Sequence, residues 1–177
     1  DALVVAQWMN VFLRKSDVLK IACLAQIVNV IAPILTTCDS MLKQSIYYPF
    51  MLFSRLAAGT ALDVAVKSPM YHTAKFGDMP LLDVSSSYDE ATNTNAIFIV
   101  NRSQTESIHI ELNWQDRAPR LIKSVHQVAG TDPKAANSYD NPNQVVAVSV
   151  AAPAVSDNRA GITVPPLSFT AIEAQFA

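Results

Sequence analysis

KIACLAQIVNVIAP, Lys20 to Pro33, is almost wholly apolar, yet it carries two uncharged amides, Gln26 and Asn29. A run of this kind predicts a strand buried on both faces, the form that parallel strands take in an α/β fold. The strand is expected at about Leu19–Ile27, followed by a loop through Pro33 to Ser40. A glutamine in such a strand costs roughly 1–3 kcal/mol unless its amide finds a partner, either another protein group or a ligand. In a parallel barrel, polar groups near the carboxyl ends of strands face the ligand site, so Gln26 is the first candidate for a binding residue.

On the N-terminal side, Asp1 to about Lys15 reads as a helix. It has apolar rows at Val4, Trp8, Val11 and at Val5, Met9, Phe12, so cover on more than one side is expected. Arg14 and Lys15 in its last turn suit the helix dipole, and Asp17 is a turn or cap residue before the strand. On the C-terminal side a second helix is expected from about Lys43 to Ala58. Pro49 there needs an early-turn position or a kink, and Gly59 supplies the stop. Helix, buried strand and helix form a unit of a parallel α/β fold, but one strand cannot make a sheet. Asp1 leads straight into apolar sequence, so the expectation is a piece of a longer protein whose remainder supplies the neighbouring strands.

From about Thr60 the signals change to short strands between turn clusters. Candidates are Ala61–Lys67, Leu81–Tyr88, Asn95–Asn101, Ser107–Leu112, Arg120–Val128, Val145–Val150, Ala160–Val164 and Leu167–Phe176. Ile108, Ile110 and Leu112 alternate with His109 and Glu111, a half-buried antiparallel pattern. Strands at this spacing predict a mainly β fold, a β-sandwich or jelly roll. The domain division is therefore 1–59 and 60–177.

Composition excludes several functions. Of 177 residues, 50% are hydrophobic and 16% charged, which describes a folded chain. The net charge of −2 without a Lys/Arg cluster argues against nucleic acid as a partner. Ile21–Leu35 is too short for a membrane span and includes Gln26, Asn29 and Pro33, so no membrane partner is expected either. Cys23 and Cys38 fit no metal-ligand spacing; Cys23 reads as a buried core thiol, and so small a cysteine complement favours a reducing, cytoplasmic setting.

The catalytic inventory is thin. His72, His109 and His126 share no ligand spacing and read as outward-facing strand or loop residues. Four glycines leave no phosphate-cradling loop, and no cofactor or metal is expected. Asn101-Arg102-Ser103 matches a glycosylation sequon that arises often by chance. Acid/base cleavage of a glycosidic bond needs two flanking carboxyl groups, but Glu90, Glu106, Glu111 and Glu173 all lie in the β-rich part. The first segment holds only Asp1, Asp17, Asp39 and, at the junction, Asp63. An enzyme using Glu106 and Glu111 is disfavoured, because odd spacing in a strand points side chains to opposite faces. Trp114, Tyr71, Tyr88 and Tyr139 could form a sugar-stacking platform if they shared one exposed face; packed core and rim aromatics are the ordinary alternative.

DALVV at the start, then Asn10, Phe12, Arg14 and Asp17, then KIACLAQIVNVIAPI (Lys20–Ile34), QSIYYPF (Gln44–Phe50), Ser68-Pro69 with Tyr71, and Val100-Asn101-Arg102 follow one another in order. This order resembles the C-terminal part of α-L-arabinofuranosidases of glycoside hydrolase family 51. The resemblance implies a C-terminal jelly-roll β-sandwich preceded by the last helix-strand-helix piece of a (β/α)8 barrel. It implies a retaining, exo-acting enzyme that releases non-reducing-end arabinofuranose from arabinan or arabinoxylan. Its two catalytic glutamates lie on earlier barrel strands, so no catalytic residue is expected in this chain and the isolated chain should be inactive. Gln26 occupies the position of the ACLAQ glutamine that hydrogen-bonds arabinose, which a primary amide does by donating to one hydroxyl and accepting from another. Asn29 is expected to cap its loop through local backbone. The implied partners are L-arabinose-containing oligosaccharides, the N-terminal barrel portion and further copies, since family members often form hexamers. The alternative is a non-catalytic β-sandwich that binds carbohydrate or serves assembly.

Overall fold

Antiparallel pairing builds most of the molecule in the computed structural model, which describes residues 1–177. Helix α1 (Ala2–Arg14) comes first, then a small hairpin of β1 (Ile34–Thr36) and β2 (Met41–Lys43), and then helix α2 (Tyr47–Leu56). The remainder is β: β3 (Thr60–Leu62), β4 (Met70–Thr73), β5 (Gly77–Pro80), β6 (Leu82–Asp89), β7 (Thr94–Asn101), β8 (Ile108–Asn113), β9 (Leu121–Ala129), β10 (Val148–Ser149), β11 (Arg159–Val164) and β12 (Ser168–Gln175). A six-stranded sheet runs in the order β10-β9-β12-β7-β6-β3, with β11-β8 forming a separate pair.

The sheet has two covered faces, and the sequence of its central strands shows why. In NAIFIV of β7, Ala96, Phe98 and Val100 point to one side and Ile97 and Ile99 to the other. The first set joins Phe169 and Ala171 of β12 and packs under α1 and α2; the second joins Ile172 and Ala174 and packs under β8 and β11. The outer β layer is apolar on one side only: β8 alternates inward Ile108, Ile110 and Leu112 with exposed His109, Glu111 and Asn113. Ile110 pairs with Ile162 and Leu112 with Ala160 in register. The fold is mainly β, with helices on one face of the large sheet and a β layer on the other.

Helix α1 half-buries one of its apolar rows, Val5, Met9 and Phe12, and leaves the other in the open. What α1 buries is the small stripe Ala2, Ala6 and Asn10, which lets its backbone approach the sheet. The row Val4, Trp8 and Val11, expected to be covered, stays 55%, 58% and 39% exposed. Helix α2 begins four residues later than expected, at Tyr47, so Pro49 is its third residue and its missing N–H belongs to the unpaired first turn. Phe53 stacks on Phe98 with ring centroids 3.8 Å apart and an interplanar angle of 16°. Burial pushes the Tyr48 hydroxyl above the ordinary phenol range, and neighbouring Tyr47 adds to the effect. Gly59 is required: at φ 76° a β-carbon would lie 2.1 Å from the Tyr88 carbonyl oxygen.

The largest correction concerns the opening run. The predicted strand Leu19–Ile27 does not form; these residues have no regular structure, and only an isolated bridge joins Val28 to Ile34. Ile21, Ile27, Val30 and Ile31 are 65–79% exposed. A parallel strand takes its hydrogen bonds from strands on either side, and every long strand of this chain is already paired within the β layers. Cys23, expected in the core, is exposed for the same reason, as is Cys38. Two hairpins were not expected, β1–β2 in the loop after Pro33 and β4–β5 between Met70 and Pro80. Conversely, Ala61–Lys67 and Val145–Val150 shrink to the short strands β3 and β10.

Candidate functional site

Gln26 lies in the irregular segment, exposed, with a left-handed φ of 61°. The chain steadies just beyond it. The Asn29 Oδ1 accepts from the Thr36 N–H at 2.7 Å, and its Nδ2 donates to the Thr36 hydroxyl at 3.1 Å, so Asn29 caps its loop as expected. The Asn29 N–H donates to the Ile34 carbonyl at 2.8 Å, and the Gln44 N–H donates to the Pro33 carbonyl at 2.8 Å. The Gln44 side chain adds a bond to the Ala32 carbonyl. Ala32 and Leu42 are buried in this knot. Asp39, after the predicted strand, only accepts from the Thr37 hydroxyl at 3.0 Å.

No pair of carboxylates faces a common space here. Glu111 pairs with Arg159 at 3.3 Å on the exposed side of β8, and Glu106 lies in the loop before that strand. Glu173 is held by Lys123 at 2.8 Å. Each histidine faces a local partner: His72 the Asp78 carboxylate, His109 the Thr163 hydroxyl and His126 the Ser149 hydroxyl. No group of three or more His, Cys, Asp or Glu side chains is placed to hold a metal ion.

The four aromatics do not make a platform. Trp114 packs into the core between the sheets and donates its Nε1–H to Asn95 Oδ1 at 3.2 Å. Tyr88 meets the Phe176 ring edge-on and bonds Asn93, while Tyr71 lies on the β4–β5 hairpin. The sequon at Asn101 is closed to modification: Asn101 is wholly buried, and its Nδ2 donates to the carbonyls of Glu106, Val164 and Pro165.

Sequence reasoning missed one buried polar cluster, between α1 and β6. Asn10 Nδ2 donates to Asp83 Oδ2 at 3.0 Å, and the Ser85 hydroxyl donates to Asn10 Oδ1 at 2.6 Å. Arg14 and Arg102 flank Asp83 at 3.0 and 3.6 Å. A groove of about 270 Å³ opens beside it, with Val4, Trp8 and Val11 opposite these charges. Arg14 Nη1 also donates to the Val84 carbonyl at 2.7 Å, and Arg102 donates to Gln7 Oε1 and the Pro80 carbonyl. The cluster is therefore a lock between helix and sheet. The only signal in sequence was the Asn10–Arg14 spacing on one helix face; its partner, 73 residues away, carried none.

These features define a β domain with a helical cover and an exposed irregular segment, bearing Gln26, at its edge. Residues 1–168 match the family described as the alpha-L-arabinofuranosidase C-terminal domain, and the chain belongs to that family. It is 35% identical over 173 residues to an intracellular exo-alpha-(1->5)-L-arabinofuranosidase of Streptomyces lividans, a match covering 97% of this chain and 26% of that protein. It is equally identical, over the same share of this chain, to intracellular exo-alpha-(1->5)-L-arabinofuranosidase 1 of Bacillus subtilis strain 168, of which it covers 34%. Among solved structures, the family 51 alpha-L-arabinofuranosidase AbfB of Bifidobacterium longum superposes with a TM-score of 0.91 at 27% identity, covering 99% of this chain and 34% of that one. The chain thus spans about a quarter to a third of the length of the curated relatives it matches. No helix is long and apolar enough to cross a membrane.

Proposed function

We propose that this chain is the C-terminal portion of a retaining, exo-acting α-L-arabinofuranosidase that releases non-reducing-end arabinofuranose from arabinan or arabinoxylan. The observation that carries this reading is the family match over residues 1–168 together with the small share of each relative that the chain spans. In this reading residues 1–59 complete a (β/α)8 barrel and residues 60–177 form the sandwich. The barrel's upstream strands would pair with the Leu19–Ile27 run, which accounts for so apolar a stretch lying exposed here. The same strands would supply both catalytic glutamates. The full enzyme is cytoplasmic, in keeping with the intracellular relatives, and works as a homo-oligomer.

Gln26 is the substrate-binding residue of this chain. Within the completed barrel its amide donates to one arabinose hydroxyl and accepts from another without placing a charge beside the glutamates. Two expected results test the reading. The purified 177-residue chain should leave an aryl α-L-arabinofuranoside uncleaved, whereas the longer enzyme cleaves it; turnover by the chain alone would overturn the assignment. In the longer enzyme, Gln26→Ala should lower kcat/KM about 10- to 100-fold, the loss expected for a buried amide bonded to a substrate hydroxyl at roughly 1–3 kcal/mol. Unchanged kinetics would remove Gln26 from the site.

A further inference from the structure

We infer that Asn137, in the loop between β9 and β10, is a positioning residue that ties the Gln26 segment to the β domain. This rests on the reading of Gln26 given above. The side chain uses both of its donors and its carbonyl oxygen on two separate segments of chain. Nδ2 donates to the Lys43 carbonyl at 2.9 Å and to the Val145 carbonyl at 2.8 Å, while Oδ1 accepts from the Val145 N–H at 2.7 Å. The pair of bonds to Val145 imitates a β-bridge and fixes the amide's orientation, which aims the remaining donor at Lys43.

Lys43 is the entrance to the knot described above. Its neighbour Gln44 holds the carbonyls of Ala32 and Pro33, the Ala32 N–H donates to the Asn29 carbonyl at 3.1 Å, and Asn29 is three residues from Gln26. No other side-chain hydrogen bond and no ion pair joins residues 16–46 to the chain from residue 60 onward. The loop bearing Asn137 is itself closed by local bonds: Ser138 and Asn141 exchange backbone hydrogen bonds, and Asp132 Oδ1 accepts from the Lys134 N–H at 2.8 Å. A locally hydrogen-bonded loop of the β domain thus reaches over and pins the segment that follows Gln26. A substrate-bonding amide must be held to within a fraction of an ångström to be effective, and displacement by about 1 Å can cost up to 100-fold in rate.

Asn137→Asp tests the tie with little change of shape, because it keeps the acceptor for the Val145 N–H and loses the donors to the Lys43 and Val145 carbonyls. In the 177-residue chain, amide exchange of residues 29–44 should speed up about tenfold in Asn137→Asp and Asn137→Ala, with β7 and β12 unchanged. Unchanged exchange there overturns the tie. In the longer enzyme, Asn137→Asp should lower kcat/KM on an aryl arabinofuranoside about tenfold, and Gln26→Ala/Asn137→Asp should fall no further than Gln26→Ala alone. Additive losses, or a lowered melting temperature with normal kinetics, make Asn137 a structural residue and overturn the positioning role. If the parent enzyme is itself inactive on arabinosides, the proposed function fails; the exchange result then upholds or overturns the tie by itself.

Discussion

Phe98→Ala should lower the stability of this chain by about 3–5 kcal/mol, the range for removing a buried phenylalanine ring. Phe98 is fully buried in the middle of the central strand β7, paired with Ser85 on one side and Ala171 on the other. Its ring lies against Phe53 of α2 at 3.8 Å and near Phe169 of β12 at 6.4 Å, all three nearly parallel. Replacing it opens a cavity that three elements border at once, and none can collapse into it without leaving the others. Domains of this size are stable by roughly 5–15 kcal/mol, so the loss removes a large part of the margin. The melting temperature should fall by on the order of 10 °C. Phe76→Ala, at a ring that is 68% exposed on the β4–β5 hairpin, should change stability by less than about 0.5 kcal/mol. Equal melting of the two variants would mean that the helices do not pack on the sheet as described.

That contrast shows what the sequence made readable. Short alternating strands such as Ile108–Asn113 announce both their extent and their buried face, because each needs one neighbouring layer and the turns around it are polar. The strand Asn95–Asn101 is legible from its continuous apolar run, and its place in an antiparallel sandwich from the turns around it; helices on its outer face give it the doubly buried character otherwise typical of parallel sheets. The same signal in Lys20–Pro33 leads to a strand that this chain cannot build, because periodicity reports what a segment can bury and not whether a partner is present. Helix α1 shows a related limit. Of its apolar residues, Leu3, Met9 and Leu13 pack beside the fully buried Ala2, Ala6 and Asn10, while Val4, Trp8 and Val11 stay exposed, so periodicity alone does not say which apolar row meets the sheet.

The candidate site was less legible than the fold. Gln26 stood out as an amide in an apolar run, but its role came from resemblance to a family and not from any local geometry. Asn137 stood in a polar loop that reads as turn chemistry, and nothing in GTDPKAANSYDNPNQ marks one asparagine as reaching Lys43. Long-range side-chain bonds of this sort leave no periodic trace, and each involves a pair of positions that sequence treats separately.

Asn10 should be the most sensitive polar position, with Asn10→Ala destabilising the chain by about 2–4 kcal/mol through an orphaned hydroxyl, a weakened carboxylate and a small cavity. Asn10 has no exposed surface, and its amide is the only group that touches both Asp83 and Ser85. Without it the Ser85 hydroxyl, 1% exposed, loses its acceptor, and Asp83 Oδ2 loses its donor while Oδ1 keeps Arg14 and Arg102. Arg14→Ala should cost less, about 1 kcal/mol, because its side chain is 37% exposed and water and Arg102 take over part of its role. Asn10→Asp should be at least as harmful as Asn10→Ala: it keeps the volume but sets a second carboxylate about 3 Å from Asp83, and like charges at that distance resist joint ionisation. Urea midpoints of the three variants check the order. Because the amide links two partners, Asn10→Ala/Ser85→Ala should be less destabilised than the sum of its single variants, by about 0.5–3 kcal/mol. Strict additivity would mean that Asn10 and Ser85 act independently, and that helix α1 is held to β6 by packing alone.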